Sequence, residues 1–323
     1  MSINYGDLKI MATFSHLELA KKIAEKFSPD GIRLIIPEVK RFGDGEIYAR
    51  ITENVRGSDL FIISSLHSRA RIDSLKELLF LVNAAESAHR RVAIIPFCGY
   101  AKQDRRVIPR EAESFKVIAE ILSNSGLNRI VLFDLHNSTC KSFFDVETDN
   151  LYLMRLLIEY AKSLRLKNVA VVSPDVNSGK RAEAIALIMG INRICIIWKY
   201  RDPQTKQIDP KKSKLLGDVN RKNVLMFDDM IQGGGTLAIA AKILKAKGAR
   251  TIRAFAVHPD LTPGAIEKLE QSELDEIVMV DTIPHDTTNW PKKIRLLDPS
   301  EFIADCIRKI HNNEPLSPLY INY

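Results

Sequence analysis

Short runs of β-branched and other apolar residues recur along the chain, and most are followed by a segment whose apolar residues return every three or four positions. The first pattern predicts strands and the second predicts amphipathic helices. Ser15 and Glu18 have the spacing of a capping box, which would start the first helix. In the first half, strands are predicted over 8–14, 34–39, 47–51, 60–64, 92–96 and 130–133, and helices over 15–26, 72–88 and 114–123.

The same alternation restarts after residues 145–149. Helices are then predicted over 151–163, 179–189, 237–246, 264–271 and 301–310, and strands over 169–173, 194–198, 224–227, 252–257 and 277–280. Alternating strands and helices are typical of α/β folds. We therefore predict two domains, 1–148 and 149–323, each with a mainly parallel sheet flanked by helices. In such sheets ligands bind outside the carboxyl ends of the strands.

Composition narrows the class of protein. The chain has 323 residues, 46% of them hydrophobic and 27% charged, which fits a globular protein of about two domains. No apolar run approaches the roughly 20 residues that cross a bilayer, and the first residues lack the features of a signal peptide. A cytoplasmic location without a membrane partner is expected. The four cysteines lie far apart, which favours reduced thiols over a disulfide or zinc framework.

The formal net charge of +7 comes from scattered basic residues rather than from a basic tract. This distribution predicts attraction for small phosphorylated anions at most and argues against a nucleic-acid partner.

The most informative segment is the predicted strand at 224–227 with the residues that follow it. The strand runs into Asp228 and Asp229, and three glycines then precede a predicted helix. Glycines let backbone amides close around an anion at a helix N-terminus, where the helix dipole adds favourable charge. Acids beside such a loop suit sugar hydroxyls or Mg²⁺. A glycine-rich turn with an exposed acid pair is the alternative interpretation.

Other polar segments also follow strands or turns. Residues 96–106 form a cationic loop suited to a polyphosphate. Lys199 and Arg201 are two residues apart, so on an extended backbone they point the same way and suit a developing phosphoryl charge. His136 and Asp175 each follow a predicted strand. Each feature also has a simpler interpretation. The loop and the Lys199–Arg201 pair could be solvated charges, His136 could be structural, and Asp175 could be a helix N-cap.

In this order, the segments resemble the ribose-phosphate pyrophosphokinase family, which makes phosphoribosyl diphosphate (PRPP). The resemblance rests on R-F-G-D-G-E at 41–46, the loop at 96–106, D-L-H at 134–136, S-P-D at 173–175 with R-A at 181–182, W-K-Y-R at 198–201 and the acid-glycine segment. It implies two phosphoribosyltransferase-like domains with one active site between them, completed by a neighbouring subunit. The implied reaction moves the diphosphoryl group of Mg–ATP to the C1 hydroxyl of ribose 5-phosphate.

The resemblance also implies residue roles, with Mg²⁺ as cofactor and other copies of the chain as partners in a hexamer built from dimers. The implied catalytic residues are Lys199 and Arg201, and the implied metal-linked residues are His136 and Asp175. The implied ATP-binding residues are Phe42, Asp44, Gly45, Glu46, Lys102, Gln103, Asp104 and Arg105. The implied ribose 5-phosphate-binding residues are Asp228, Asp229, Gln232, Gly233, Gly234, Gly235 and Thr236.

Two departures from the family's motifs leave alternative functions open. Gln232 and Gly233 stand where the family has an Asp-Thr pair, which removes a carboxylate and a hydroxyl donor, and Lys102 replaces an Arg. A non-catalytic subunit that regulates an active paralogue is one alternative, and a phosphoribosyltransferase that consumes PRPP is another. The polar residues 202–207 and 211–212 predict a mobile lid of about a dozen residues after Lys199.

Overall fold

The computed structural model describes residues 5–67, 71–176, 178–201 and 208–320. The chain divides into two compact units. The first contains the described residues up to Leu153, together with Thr282–Pro284 and 298–320, and the second contains Met154–Asp281 and His285–Leu297. The C-terminal helix is thus grouped with the first unit, whereas the sequence boundary at 148/149 had assigned it to the second. The functional division at that boundary stays a prediction.

Within the described residues, the first unit holds a six-stranded sheet in the order β2-β1-β5-β6-β7-β8, and every neighbouring pair is parallel. A two-stranded antiparallel hairpin, β3–β4, forms a separate sheet. The strands are β1 Leu8–Ala12, β2 Leu34–Ile35, β3 Glu38–Arg41, β4 Ile47–Arg50, β5 Asp59–Ile63, β6 Arg90–Ile95, β7 Arg129–Phe133 and β8 Glu147–Leu151. The helices of this unit are α1 Leu17–Glu25, α2 Arg71–Ala84, α3 Ser114–Ser123 and α8 Ser300–His311.

Apolar residues on both faces explain why these strands form a parallel sheet. Every residue of β5 is buried, as is nearly all of β6 and β7, so helices must cover both faces. The amphipathic helices supply that cover. α1, for example, buries Leu19, Ala20, Ile23 and Ala24 and leaves its charged residues outward.

The second unit holds a seven-stranded sheet within the described residues, in the order β11-β10-β9-β12-β13-β14-β15. Only the edge pair β10–β11 is antiparallel among its described pairs. The strands are β9 Val169–Ser173, β10 Ile194–Arg201, β11 Ile208–Leu216, β12 Asn223–Met230, β13 Thr251–His258, β14 Glu276–Val280 and β15 Ile294–Leu297. The helices are α4 Met154–Ser163, α5 Gly179–Ile188, α6 Gly235–Ala246 and α7 Ala265–Glu270.

The α/β prediction with parallel sheets flanked by helices is confirmed, but several local expectations were wrong. The strand predicted over 34–39 is two strands, β2 and β3, which belong to different sheets. The capping box does not form, because His16 caps α1 through its ring Nδ1 while the Ser15 hydroxyl accepts from the amide of Ser65. Residues 147–151, for which no strand was predicted, form strand β8. Residues 208–216, which include part of the predicted lid, form strand β11. Across the described chain, none of the helices has the length and apolar character needed to span a membrane.

Candidate active site

Four neighbouring strands of the second unit carry the candidate chemistry at their carboxyl ends. In the sheet order β10-β9-β12-β13, Lys199 lies near the end of β10, Asp175 follows β9, and Asp228 and Asp229 lie near the end of β12. Asp260 follows β13. Since parallel strands end at the same edge of the sheet, these charged side chains share the edge where α/β proteins bind ligands.

One guanidinium bridges the two strand-end acids. Arg181 of α5 donates from the same nitrogen to Asp228, at 2.8 Å, and to Asp229, at 2.9 Å. Burial and the neighbouring charge of Asp229 hold the pKa of Asp228 above its ordinary value, and Arg181 offsets part of that rise. A carboxylate has about four lone-pair sites, so the pair keeps capacity to accept hydroxyl groups while Arg181 is bound.

The glycine segment forms the N-terminus of α6. Gly234 is the N-cap residue with φ +68°, and a Cβ added to it would lie 2.9 Å from the Leu269 side chain, so both backbone and space require glycine there. Gly233 and Gly235 differ, because a Cβ on either would meet no atom closer than 3.7 Å. Thr236 is exposed in the first turn of the helix. These amides at the start of a 12-residue helix can bind an anion.

Lys199 is held inside the site rather than in solvent. Only 7% of its side chain is exposed, and its Nζ lies 3.8 Å from Asp175, whose side chain is 36% exposed. The other carboxylate oxygen of Asp175 accepts from the amide and the hydroxyl of Ser178, each at 3.0 Å. The strand with Lys199 ends at Arg201, whose side chain, like the predicted lid residues 202–207, lies outside the described part of the chain.

The first unit contains the candidate ATP-binding residues, beginning with the tip of the β3–β4 hairpin. Phe42 is 52% exposed, and its ring lies 6.0 Å from that of Tyr48. The amide of Phe42 donates to the carbonyl of Glu46 at 2.8 Å, Asp44 accepts from the amide of Glu46 at 3.0 Å, and Gly45 turns the chain with φ +92°. The tip therefore has a fixed backbone and an exposed aromatic face.

The cationic loop and the D-L-H segment meet at Asp104. Its carboxylate accepts from the Asn137 amide at 2.9 Å and from the Cys140 thiol at 3.7 Å. The pKa of Cys140 is raised to about 12 by burial and by Asp104, so this cysteine stays a neutral thiol. His136 is exposed beside this contact.

The remaining loop residues differ in their surroundings. The side-chain oxygen of Gln103 accepts from the Ser114 hydroxyl at 2.7 Å, next to the start of α3, while Lys102 and Arg105 extend to the surface. The structure therefore links Asp104 to the D-L-H segment and leaves the two cations outward, where they could meet phosphate groups.

Comparison with known proteins gives the family. Residues 8–126 match the model of the N-terminal domain of ribose phosphate pyrophosphokinase, and residues 199–321 match a phosphoribosyl synthetase-associated domain. The ribose-phosphate pyrophosphokinase of Wolinella succinogenes is 36% identical over 97% of this chain and 99% of its own length. That of Buchnera aphidicola subsp. Schizaphis graminum is 40% identical with the same coverage. The chain belongs to the ribose-phosphate pyrophosphokinase family.

A solved structure of a ribose-phosphate pyrophosphokinase relative agrees with the fold. The phosphoribosylpyrophosphate synthetase of Mycobacterium smegmatis superposes with a TM-score of 0.87 at 30% identity, over 95% of this chain and 99% of its own. The family and the fold class predicted from the motifs are confirmed. The roles of individual residues are not tested by these likenesses and stay predictions.

Sequence reasoning missed residues that touch the predicted ones. Arg181 was noted only as part of a motif, although it bridges Asp228 and Asp229. Asp260 was not considered, yet it accepts a hydrogen bond from Gln232. The signal for Arg181 was available, because two adjacent acids at the end of an apolar strand need a cation. Asp260 gave no comparable signal in the sequence.

Within the described residues, the site offers Mg²⁺ few protein ligands. Mg²⁺ prefers oxygen ligands and is usually held by one or two carboxylates together with substrate phosphates and water. The described residues contain no group of three or more His, Cys, Asp or Glu placed to hold a metal. A single carboxylate such as Asp175 fits an ion that arrives bound to phosphates, and it does not fit a preformed protein metal site.

Proposed function

We propose that this chain catalyses the transfer of the β,γ-diphosphoryl group of Mg–ATP to the C1 hydroxyl of ribose 5-phosphate, giving PRPP and AMP. Membership of the ribose-phosphate pyrophosphokinase family over nearly the whole chain supports this reaction. The observation that carries it is the shared sheet edge, where an acid pair, a glycine loop at a helix N-terminus and a buried lysine lie on neighbouring strands.

Different residues of this edge would bind different parts of ribose 5-phosphate. The α6 amides and Thr236 would bind the 5-phosphate, as helix N-termini bind anions. Asp228 and Asp229 would accept hydrogen bonds from the ribose hydroxyls, with Arg181 limiting the repulsion between the two carboxylates. The C1 hydroxyl of the bound sugar would then be the acceptor of the diphosphoryl group.

Transfer requires positioning and charge neutralisation rather than a covalent intermediate. The C1 oxygen attacks the β-phosphorus of ATP, the bond from that phosphorus to the α,β-bridging oxygen breaks, and AMP departs with that oxygen. The proton of the hydroxyl is released in the same process. Lys199 would stabilise charge on the transferring group, with Arg201 as its predicted partner two residues along the strand.

The ATP-binding residues of the first unit would hold the nucleotide. The exposed Phe42 ring offers a face for the adenine, and Asp44, Gly45 and Glu46 offer polar groups at the same tip. Family resemblance assigns this tip to the ATP of a neighbouring subunit. Lys102 and Arg105 would meet the phosphates, and Gln103 and Asp104 would order the loop that carries them.

Mg²⁺ would arrive with ATP and would neutralise phosphate charge when bound. Asp175 would contribute one carboxylate to it, and His136 would contact the Mg–ATP complex from the D-L-H segment. A hexamer built from dimers and a cytoplasmic location complete the proposal. Light scattering of the purified protein tests the oligomer, and a mass well below six chains would contradict it.

The decisive assay measures AMP and PRPP from ATP and ribose 5-phosphate with and without Mg²⁺. We expect turnover only with Mg²⁺. Absence of turnover at all Mg²⁺ concentrations, with phosphate present, would instead support a non-catalytic regulatory subunit. The Gln232-Gly233 sequence favours that second candidate, because it lacks a carboxylate and a hydroxyl found in the family loop.

A further inference from the structure

The loop between β13 and α7, residues 259–264, lies against the glycine segment. The amide of Ile231 donates to the carbonyl of His258 at 3.0 Å, and the amide of Thr262 donates to the carbonyl of Gln232 at 3.2 Å. The Gln232 side-chain amide donates to the carboxylate of Asp260 at 2.7 Å. Two main-chain bonds and one side-chain bond therefore fix the two loops relative to each other.

The bond between Gln232 and Asp260 is the most constrained of these contacts. Asp260 is only 4% exposed, so this hydrogen bond is shielded from competing water. The bond holds the side chain of Gln232 against the neighbouring loop. The position of that loop beside the glycines is therefore fixed before any ligand binds.

Thr262 brings a hydroxyl to the position where the glycine segment has none. A Cβ built on Gly233 would lie 3.7 Å from the Oγ1 atom of Thr262. A hydroxyl on residue 233 would sit one bond beyond that Cβ, so it and the Thr262 hydroxyl would be immediate neighbours. The Thr262 side chain is exposed, and its hydroxyl can donate to an anion held by the α6 amides.

We infer that Thr262 is a binding residue for the phosphate of the sugar ligand and supplies, from the adjacent loop, the hydroxyl that Gly233 lacks. The identity of the ligand as ribose 5-phosphate rests on the proposed function. The contact itself rests on the placement of Thr262 beside Gly233. The glycine segment and the β13–α7 loop then form one anion site with a side-chain donor.

The test replaces Thr262 with Val, which keeps the shape and removes the hydroxyl, and with Ser, which keeps the hydroxyl. Loss of one hydrogen bond to a charged group should raise the KM for ribose 5-phosphate about 10- to 150-fold in Thr262→Val and little in Thr262→Ser, with kcat and the KM for ATP unchanged. Thr287→Val, at another exposed threonine of the same unit, is the matched control. Thermal melting checks folding, which should hold because the described bonds of Thr262 use its backbone.

A double-mutant cycle with Gly233→Thr makes the test specific to this pair. The added hydroxyl should lower the KM at least about tenfold in the Thr262→Val protein and much less in wild type, where Thr262 already donates. Equal effects in both backgrounds, or a Thr262→Val protein with the KM of wild type, would overturn the inference.

Calorimetry with ribose 5-phosphate separates this inference from the proposed reaction. Weaker binding to Thr262→Val than to wild type supports the contact even if no PRPP forms. Normal binding to Thr262→Val alongside PRPP formation overturns the contact and leaves the reaction standing. No binding to wild type at millimolar concentration overturns both.

Discussion

Replacing Lys199 with Ala distinguishes a catalytic lysine from a structural one. The side chain is 7% exposed and lies 3.8 Å from Asp175, so a purely structural role as a buried partner for that acid is the alternative to catalysis. In that case its removal changes stability alone. Because Asp175 is 36% exposed and remains solvated, we expect a stability loss of about 1 kcal/mol or less from the lost ion pair.

A transition-state role predicts a much larger effect on rate. Removing one charged donor from a developing phosphoryl charge typically costs 10²- to 10³-fold in kcat, or about 2.7–4 kcal/mol. We therefore expect Lys199→Ala to lower kcat by at least about 10²-fold with little change in the KM for ATP. The Lys199→Met variant keeps an apolar side chain in the same space and separates the loss of charge from the loss of packing.

The assay is the steady-state rate of AMP formation at saturating ATP and ribose 5-phosphate, together with urea unfolding of each variant. Lys214→Ala is the matched control, because Lys214 lies on the same hairpin, opposite Trp198, and is exposed. A Lys199→Ala protein with the kcat of wild type would show that Lys199 has no catalytic role, and the match to W-K-Y-R would then be incidental.

Three other contacts can be tested by pH dependence or by substitution. Burial and a neighbouring acid raise the pKa of Asp228, and only its ionised form accepts hydroxyls at both oxygens. The KM for ribose 5-phosphate should therefore fall as pH rises from about 5 to 8, and a KM that does not change with pH would contradict this. Asn137→Ala removes the bond to Asp104, and should raise the KM for ATP about 2- to 10-fold without changing that for ribose 5-phosphate. Arg90→Met breaks the ion pair with Asp59, which is fully buried, and should lower the free energy of unfolding measured in urea by about 3–5 kcal/mol. A decrease below about 1 kcal/mol would contradict a stabilising role for this pair.

Most of the fold was predictable because its strands are short apolar runs between polar turns. Strand β8 was not, since Glu147-Thr148-Asp149-Asn150 reads as a polar linker. Several of its polar side chains bond to residues distant in sequence. Arg129 pairs with both Glu147 and Asp149, and Asn150 accepts from the amide of Leu135. A polar strand of this kind depends on tertiary contacts that no local pattern encodes.

Strand β11 was missed for a related reason. The polar residues 211–212 were part of the predicted lid, and Pro210 beside them is unfavourable in a central strand. Strand β11 is the edge strand of the sheet and pairs antiparallel with β10, so it tolerates both the lysines and the proline. Lysines at a sheet edge also discourage pairing with other chains. The position of a strand in the sheet, rather than its composition, decides which residues it accepts.

The candidate site was predictable in its parts and not in its connections. Each loop after a strand could be found from the sequence, but the order β10-β9-β12-β13 could not, and it is this order that places Arg181 beside the acid pair. The same limit applies to the Gln232-Gly233 departure. A motif comparison considers only the residue at position 233 in this chain and in the family, whereas a bound phosphate would contact every donor within reach. With Thr262 beside Gly233 and Asp260 bonded to Gln232, the consequence of the departure depends on two loops together.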